Sequence, residues 1–295
     1  MSKITISLSL LISLFIVGCS STSTLNKQTD KAKQAYINGD FETAFTLYNT
    51  FIEQRKSSNK EISGEIYSTA AKSAFELNKL KVAEGLFKQA YYKDYADADM
   101  YADMISIYRS IDNLSKEIDA LEYFTLHFSD DSRFTDLNMR LFETYIESEN
   151  WDKAVQKWSD FSAETKANVK AMELYLVAQT KLENYKEADK LAIDILKKNA
   201  KSEVALERMA DKYFQKAENR YQKEMTAYEK NKTIKQYNIM LKALDIVTVD
   251  FKKSLKYYEK LYKMYPSKKY AKKMANIYAR FQDKKKSDYY RRLSK

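Results

Sequence analysis

Few residues in this 295-residue sequence could carry out catalysis or bind a metal. The chain has one cysteine, Cys19, and one histidine, His127. A single cysteine excludes an intrachain disulfide or a cysteine zinc cluster, and a single histidine argues against a histidine metal site or a Ser–His catalytic pair. Gly39, Gly64 and Gly85 stand alone, so no glycine-rich loop could hold a phosphate. We therefore predict a non-enzymatic protein with no metal and no cofactor, and we expect His127 at the surface.

Cys19 follows a short apolar segment. Residues 4–17 are apolar except for four Ser and Thr residues. About 14 residues are too few for a permanent transmembrane helix, but this length is typical of a secretory signal. The segment ends in Ile16-Val17-Gly18-Cys19, which resembles the lipobox of bacterial lipoproteins.

The lipobox resemblance implies cleavage after Gly18, with diacylglycerol on Cys19 and an acyl group on its new amino terminus. Several acyl chains together give stable membrane anchoring. The residue after the cysteine is Ser20 and not Asp. In this resemblance that implies delivery to the outer membrane, with the protein either periplasmic or surface-exposed. An ordinary signal peptide with an incidental cysteine is the alternative.

The chain divides into four segments. We predict a signal peptide at residues 1–18, a lipidated flexible tether at 19–29, helical repeats at 30–200, and a long helical hairpin with basic repeats at 201–295. The tether assignment rests on the Ser/Thr-rich stretch from Ser20 to Thr29, which has no apolar periodicity.

From Asp30 onward the sequence indicates helical hairpins joined by short turns. Four Gly and one Pro are few for this length, which favours continuous helix. Glu149-Asn150-Trp151 with Ala154 recurs 34 residues later as Glu183-Asn184-Tyr185 with Ala188. This is the period of a helix-turn-helix repeat, in which a small residue lets two helices approach closely. The positions equivalent to that small residue are Ala44, Ala83, Glu117, Ala154, Ala188, Ser254 and Ser287.

This pattern resembles the tetratricopeptide repeat (TPR) family, in which Gly-x-aromatic marks the turn and Ala, aromatic, Ala and Pro follow. The resemblance covers residues 30–293, but Glu117 replaces one small residue and only Pro266 matches the terminal proline. It implies an all-α fold of TPR-like hairpin repeats in a right-handed solenoid, whose first helices line a concave protein-binding face. The residues that it places on this face are Glu143, Ile146, Glu147, Thr180 and Lys181.

The step from Ala188 to Ser254 is 66 residues, and we interpret it as containing one unmarked unit. It includes the predicted longest helix, Ser202–Lys230, whose apolar residues recur every three or four positions. A turn at residues 231–233 then leads into a partner helix. Two interpretations are open: an extended arm that serves as a docking surface, or a long hairpin packed against its neighbours.

Positive charge is concentrated at the C-terminal end. Residues 251–295 hold 16 Lys and Arg against three acidic residues, whereas the whole chain carries a net charge of +10. Such a segment attracts anions. We expect an anionic glycan, lipid or acidic protein there and no nucleic acid, unless the segment is only a solvated cap. The candidate anion-binding residues are Lys252, Lys253, Lys256 and Lys260.

The repeat pattern and the lipobox together predict a membrane-tethered protein-interaction scaffold that assists an outer-membrane assembly or secretion complex. This prediction rests on analogy with similar TPR lipoproteins of the Gram-negative envelope. The alternative is a glycan- or peptidoglycan-binding surface lipoprotein that uses the basic, Tyr-rich C-terminal segment.

Overall fold

The structure, a computed structural model, describes residues 19–295, with side chains from residue 27 onward. The predicted signal peptide at residues 1–18, with Ile16, Val17 and Gly18, lies outside the described residues. Cys19 is the first residue of the first helix, and its side chain is not among those described. Its lipidation therefore stays a prediction.

All regular secondary structure in residues 19–295 is α-helical, which confirms the predicted all-α fold. The helices are α1 (Cys19–Ile37), α2 (Phe41–Ser57), α3 (Gly64–Glu76), α4 (Leu80–Tyr91), α5 (Ala98–Ser110), α6 (Leu114–His127), α7 (Phe134–Glu147), α8 (Trp151–Ser159), α9 (Ala163–Ala167), α10 (Val169–Lys181), α11 (Tyr185–Lys198), α12 (Glu203–Lys230), α13 (Ile234–Met264), α14 (Lys268–Arg280) and α15 (Lys284–Leu293).

Six of the hairpins share one turn geometry. In each, the residue two positions before the second helix has a positive φ, between 54° and 78°. The N–H of the following residue donates to a carbonyl of the first helix five residues back, at 2.8–3.0 Å, which closes a Schellman motif. The predicted turns are therefore confirmed. The positive-φ residues are Gly39, Asn78, Asp112, Glu149, Glu183 and Gln282.

The position predicted to hold a small residue is buried in every hairpin. Ala44, Ala83, Ala154 and Ala188 have no exposed surface. The two serines at this position also satisfy their hydroxyls. Ser254 Oγ donates to the carbonyl of Ala210 at 2.8 Å, and Ser287 Oγ donates to that of Ala275 at 3.0 Å. Close helix approach thus places each serine on the backbone of the opposite helix. Glu117, the exception in the pattern, is buried as well.

The chain forms two compact units, which meet between Asn138 and Met139 within α7. Unit 1 contains the hairpins α1/α2, α3/α4 and α5/α6, with α2 packed on α3. Unit 2 contains α8 to α15, with α11 packed on α12 and α13 on α14. The boundary that we predicted, between residues 200 and 201, lies inside unit 2.

The 66-residue step does not contain a separate unit, contrary to our interpretation of the sequence. The serine hydroxyl and its carbonyl partner are 12 residues apart in the α14/α15 hairpin but 44 apart in the α12/α13 hairpin. Between the serine and its carbonyl partner, the α12/α13 hairpin therefore contains 32 more residues than the α14/α15 hairpin. It is one repeat whose two helices have been extended beyond the body of unit 2.

Our prediction that Ser202–Lys230 is the longest helix is also wrong. Ser202 is the N-cap of α12, which has 28 residues, whereas α13 has 31. The reason is that α13 runs without a break from the extension into the repeat helix that holds Phe251 and Tyr258. No residue of α12 beyond Ala217 is buried. The hairpin is packed near the body, and residues 218–249, which we call the arm, extend from it. That the arm serves as a docking surface stays a prediction.

We predicted a flexible tether at residues 19–29, but in the structure Ser20–Thr29 is helical and lies within α1. No Gly or Pro interrupts Cys19–Ile37, and Ser and Thr reduce helix propensity only slightly. Near its end the segment is attached to the next helix, where Gln28 Nε2 donates to the carbonyl of Leu47 at 3.1 Å. Among residues 19–295, no helix is both long and apolar enough to cross a bilayer.

Two helical glycines give a matched test of how α3 packs against α4. A Cβ at Gly64 would lie 2.9 Å from the carbonyl oxygen of Ala90, whereas a Cβ at Gly85 would meet nothing within 4 Å. We expect Gly64→Ala to destabilise the protein by about 1–3 kcal/mol. Gly85→Ala should stabilise it by up to about 1 kcal/mol, because alanine favours helix. Urea unfolding measures both, and a stabilising Gly64→Ala would contradict the packing of α3 against α4.

Candidate functional site

The structure brings some of the predicted concave residues together. Arg140 on α7 binds Glu147 through two bonds of 2.6 and 3.1 Å and lies 3.5 Å from Glu143. Lys170 on α10 reaches Glu143 at 2.5 Å. Glu143 and Glu147 therefore take part in an ion-pair network that spans two first helices of unit 2.

The remaining predicted concave residues lie apart from this network. Ile146 is partly buried on α7. Thr180 and Lys181 end α10, and Lys181 Nζ lies 5.6 Å from the ring centroid of Trp151. No described contact joins Thr180 or Lys181 to Glu143. Their role in binding stays a prediction.

The four predicted anion-binding lysines all project from α13 and are exposed. Lys260 Nζ donates to the carbonyl of Ala200 at 2.6 Å. Lys253 Nζ lies 5.4 Å from the ring centroid of Tyr213. Lys252 and Lys256 make no ion pair with any described residue. Of the four predicted lysines, Lys252 and Lys256 are therefore the two whose ammonium groups are left for a ligand.

Three of the other twelve basic residues of this segment form ion pairs with acidic residues of α12. Lys273 on α14 binds Asp211 at 3.0 Å, and Arg280 binds Glu218 at 2.5 Å. The Tyr270 hydroxyl donates to Glu207 at 2.9 Å. The acidic partners Glu207, Asp211 and Glu218 recur at helical spacing along α12. The charge count over residues 251–295 did not include them, because they lie outside that segment. Part of the basic, Tyr-rich segment is therefore explained by side-chain contacts of α14 with α12.

Unit 1 has an open groove on the side of its first helices. The groove has a volume of about 490 Å³ and lies between α1 and α3, with Tyr48 of α2 among its lining residues. Three of its charged residues make no hydrogen bond or ion pair through their side chains with described residues. They are Asp30, Lys33 and Glu65. We call this cavity the first-helix groove.

An acidic surface continues the first-helix groove onto α5. Lys72 on α3 binds Asp97 at 3.0 Å and Asp99 at 3.5 Å. The pKa of Tyr36 on α1 is raised to about 12, first by burial and then by the negative charges of Asp103 and other carboxylates nearby. This electrostatic coupling places side chains of α1, α3 and α5 on one surface.

Asp103 on α5 is partly buried and has no hydrogen bond or ion pair with described residues. Burial raises the pKa of its carboxyl from 3.8 to about 7, and Asp99 and Glu76 act in the same direction. Lys72 and Arg133 act in the opposite direction without reversing the shift. A carboxyl in this position gains from an additional cation. Sequence reasoning missed it because its surroundings come from α3, α5 and Arg133, which are distant from one another in the sequence.

A second cavity lies on the side of the second helices, between α4, α5 and α6. It measures about 360 Å³ and is lined mainly by tyrosines. Tyr101 and Tyr123 stack at 4.0 Å between ring centroids, while Tyr92 at the rim is exposed. His127 is exposed, as predicted, and its ring centroid lies 4.2 Å from that of Tyr123. No group of metal-ligating residues occurs within residues 19–295.

Comparison with known proteins indicates which fold this is. A Bacteroides ovatus structure described as a protein-binding protein matches 64% of this chain and 99% of its own, at a TM-score of 0.51 and 19% identity. The C-terminal part of a TPR repeat-containing protein from Cytophaga hutchinsonii matches 90% of this chain and 93% of its own, with 17% identity and a TM-score of 0.48. The chain has the TPR fold. It matches no family model and no curated relative.

A TPR protein from Parabacteroides merdae also matches, over 92% of each chain, with 12% identity and a TM-score of 0.42. At these identities the likeness concerns the fold alone. The predicted repeats are confirmed by the turn geometry and the buried small residues of the chain itself.

The pKa of Asp103 predicts how stability depends on pH. Because the folded-state pKa is about 7 and the ordinary value is 3.8, the unfolded chain loses this proton first. The contribution of Asp103 to stability should therefore fall as the pH rises between these values and level off above about 7. Asp103→Asn should remove this decline and raise the urea midpoint at mildly alkaline pH.

Asp119→Asn is the matched control, since Asp119 is exposed on α6 of the same unit. It should leave the pH profile of the urea midpoint unchanged. An Asp103→Asn profile that overlays that of the wild type would contradict the burial of an unpaired carboxyl at this position.

Proposed function

We propose that this protein is a non-enzymatic protein-interaction scaffold whose first-helix groove holds a segment of a partner protein. The observation that carries the proposal is the groove itself, which is about 490 Å³ in volume and presents charged side chains that the fold does not pair. A cleft of this size is within the range of ligand sites in proteins. The fold neighbour from B. ovatus, described as protein binding, supports the same class of function.

The electrostatics of the groove favour a partner segment that carries a lysine or arginine. Asp103 has no ion pair with described residues, and the positive charges of Lys72 and Arg133 do not offset its burial and the negative charges of Asp99 and Glu76. A cation from the partner would stabilise the ionised form of Asp103. Binding should therefore strengthen as the pH rises through about 7.

The lipobox adds a location to this proposal. With acyl chains on Cys19, the scaffold would be tethered to the outer membrane, and its partner would belong to an envelope assembly or secretion complex. The alternative, glycan binding by the basic segment, is supported by Lys252 and Lys256, which are exposed and without an ion pair. It is weakened by the internal pairing of Lys273 and Arg280.

Site-specific photocrosslinking in native membranes tests the groove. A photoreactive residue at Ile66, which lines the groove, should give a defined protein adduct. The same residue at Val82, exposed on α4, is the matched control and should not. Asp103→Lys should reduce the adduct at Ile66 by roughly tenfold, because it replaces attraction with repulsion.

Charge reversal of Lys252, Lys253, Lys256 and Lys260 to Glu should leave the Ile66 adduct unchanged. If this variant instead abolished function while the Ile66 adduct was never seen, the groove proposal would be wrong and the basic segment would be the binding surface.

Cys19 is tested separately by metabolic labelling with a fatty-acid analogue. The wild-type chain should be labelled and sediment with outer membranes. Cys19→Ala should lose both the label and the sedimentation, since no other cysteine can accept the lipid. Ser20→Ala is the neighbouring control and should keep the label. A labelled Cys19→Ala chain would disprove the lipoprotein assignment.

A further inference from the structure

The turn at the tip of the arm contains an acceptor motif for N-linked glycosylation. Asn231-Lys232-Thr233 fits Asn-x-Ser/Thr, in which the middle residue is not proline. In the form of the motif that bacterial enzymes recognise, an acidic residue stands two positions before the asparagine, and here that residue is Glu229. This longer form occurs once in the chain.

The motif is the whole connection between the two helices of the arm. Asn231 is the C-cap of α12 and Thr233 is the N-cap of α13, and neither has helical backbone angles, with φ and ψ of −144° and 85° and of −101° and 157°. All three residues of the turn are exposed. The segment can therefore enter the cleft of a modifying enzyme without the unfolding of a helix.

The acceptor side chain is not used by the fold. Asn231 makes no hydrogen bond through its side-chain amide with any described residue, so Nδ2 is open to an electrophile. Thr233 Oγ1 accepts from the N–H of Gln236 at 3.2 Å and thereby caps α13. Glu229 binds Lys232 at 2.8 Å, with both side chains more than half exposed. Exposed ion pairs contribute little to stability, so an enzyme can replace this contact with its own.

A second Asn-x-Ser/Thr motif in the chain lacks these features. Asn113-Leu114-Ser115 lies in the turn between α5 and α6, with Ile111 where the acidic residue would stand. Asn113 Oδ1 accepts from the N–H of Lys116 at 3.2 Å and caps α6. The N–H of Asn113 also donates to the carbonyl of Tyr108 at 2.8 Å in the hairpin turn. This asparagine is therefore part of the repeat, whereas Asn231 is not.

The position of the tip suits a bulky modification. Thirteen residues separate Glu218, where the arm begins, from Asn231, which at 1.5 Å per residue is about 20 Å of helix beyond the body of unit 2. A glycan there would not disturb the buried core. Ile234, which is 82% exposed, lies three residues after the acceptor. A hydrophilic glycan beside it would offset the low solubility of this exposed side chain.

We propose that Asn231 is an N-glycosylation site. The donor would be an oligosaccharide joined through C1 to a polyprenyl pyrophosphate. Nδ2 of Asn231 would form a bond to C1 as the bond from C1 to the pyrophosphate oxygen breaks. The pyrophosphate would leave with the electron pair of that bond, and one amide proton would pass to solvent. The inference rests on the export of the chain that the proposed location requires, because this modification is made on exported proteins.

Mass spectrometry of the full chain, purified from native membranes, tests the site. The wild-type chain should carry the added mass of an oligosaccharide, and peptide fragmentation should place it on Asn231. Asn231→Gln and Thr233→Ala should remove the added mass, whereas Thr233→Ser should keep it because the hydroxyl is retained. Glu229→Gln should lower the glycosylated fraction. Circular dichroism confirms that each variant is folded.

Asn113→Gln is the matched control and should leave the added mass unchanged. Fatty-acid labelling of Cys19 on the same sample reports export independently. A chain that is labelled at Cys19 but unmodified at Asn231 would overturn this inference and leave the proposed location intact. A glycan that persists in Asn231→Gln would overturn it as well. A chain with neither lipid nor glycan would overturn both proposals, and a glycan at Asn231 without the lipid would support this one alone.

Discussion

Six of the hairpins depend on one backbone hydrogen bond at the turn. The N–H after the positive-φ residue donates to a carbonyl five residues back, and this bond fixes where the first helix ends and the direction in which the second begins. Once the second helix is antiparallel and close, a small side chain fits between the two helices, as at Ala154 and Ala188, and Glu117 is the one larger residue at this position. The buried cores and the grooves between hairpins follow from this geometry. Residue types at the turn therefore matter less than its backbone conformation.

The turn also explains why the hairpins are visible in the sequence although the family pattern is weak. Only Gly39 supplies the glycine that a left-handed residue prefers, while Glu149 and Glu183 adopt the same φ at a cost of about 1–2 kcal/mol. Hydrophobic spacing and small residues were enough to predict the hairpins, because those signals are local. The 32-residue extension of one hairpin was misread, because its register is fixed by a contact between Ser254 and Ala210 that are 44 residues apart.

The binding surfaces were harder to predict than the fold, for a physical reason. The counter-charges of α14 lie on α12, more than 60 residues away in the sequence. The environment of Asp103 likewise combines α3, α5 and Arg133. A count of charges along the chain cannot separate a lysine paired in the fold, such as Lys273, from an unpaired one, such as Lys252. Tertiary pairing decides which charges are left for a partner.

The arm is the part of the chain that the repeat does not require. Removing 32 residues from the α12/α13 hairpin would restore the 12-residue separation seen between Ser287 and Ala275, with the same serine-to-carbonyl bond. The contacts of Arg280 on α14 with Glu218 and Tyr221 would be lost with those residues. Within the arm, Val247 belongs to the core of unit 2, whereas Ile234, Ile239 and Ile246 are exposed. The geometry of the repeat therefore does not account for the exposed apolar residues of the arm.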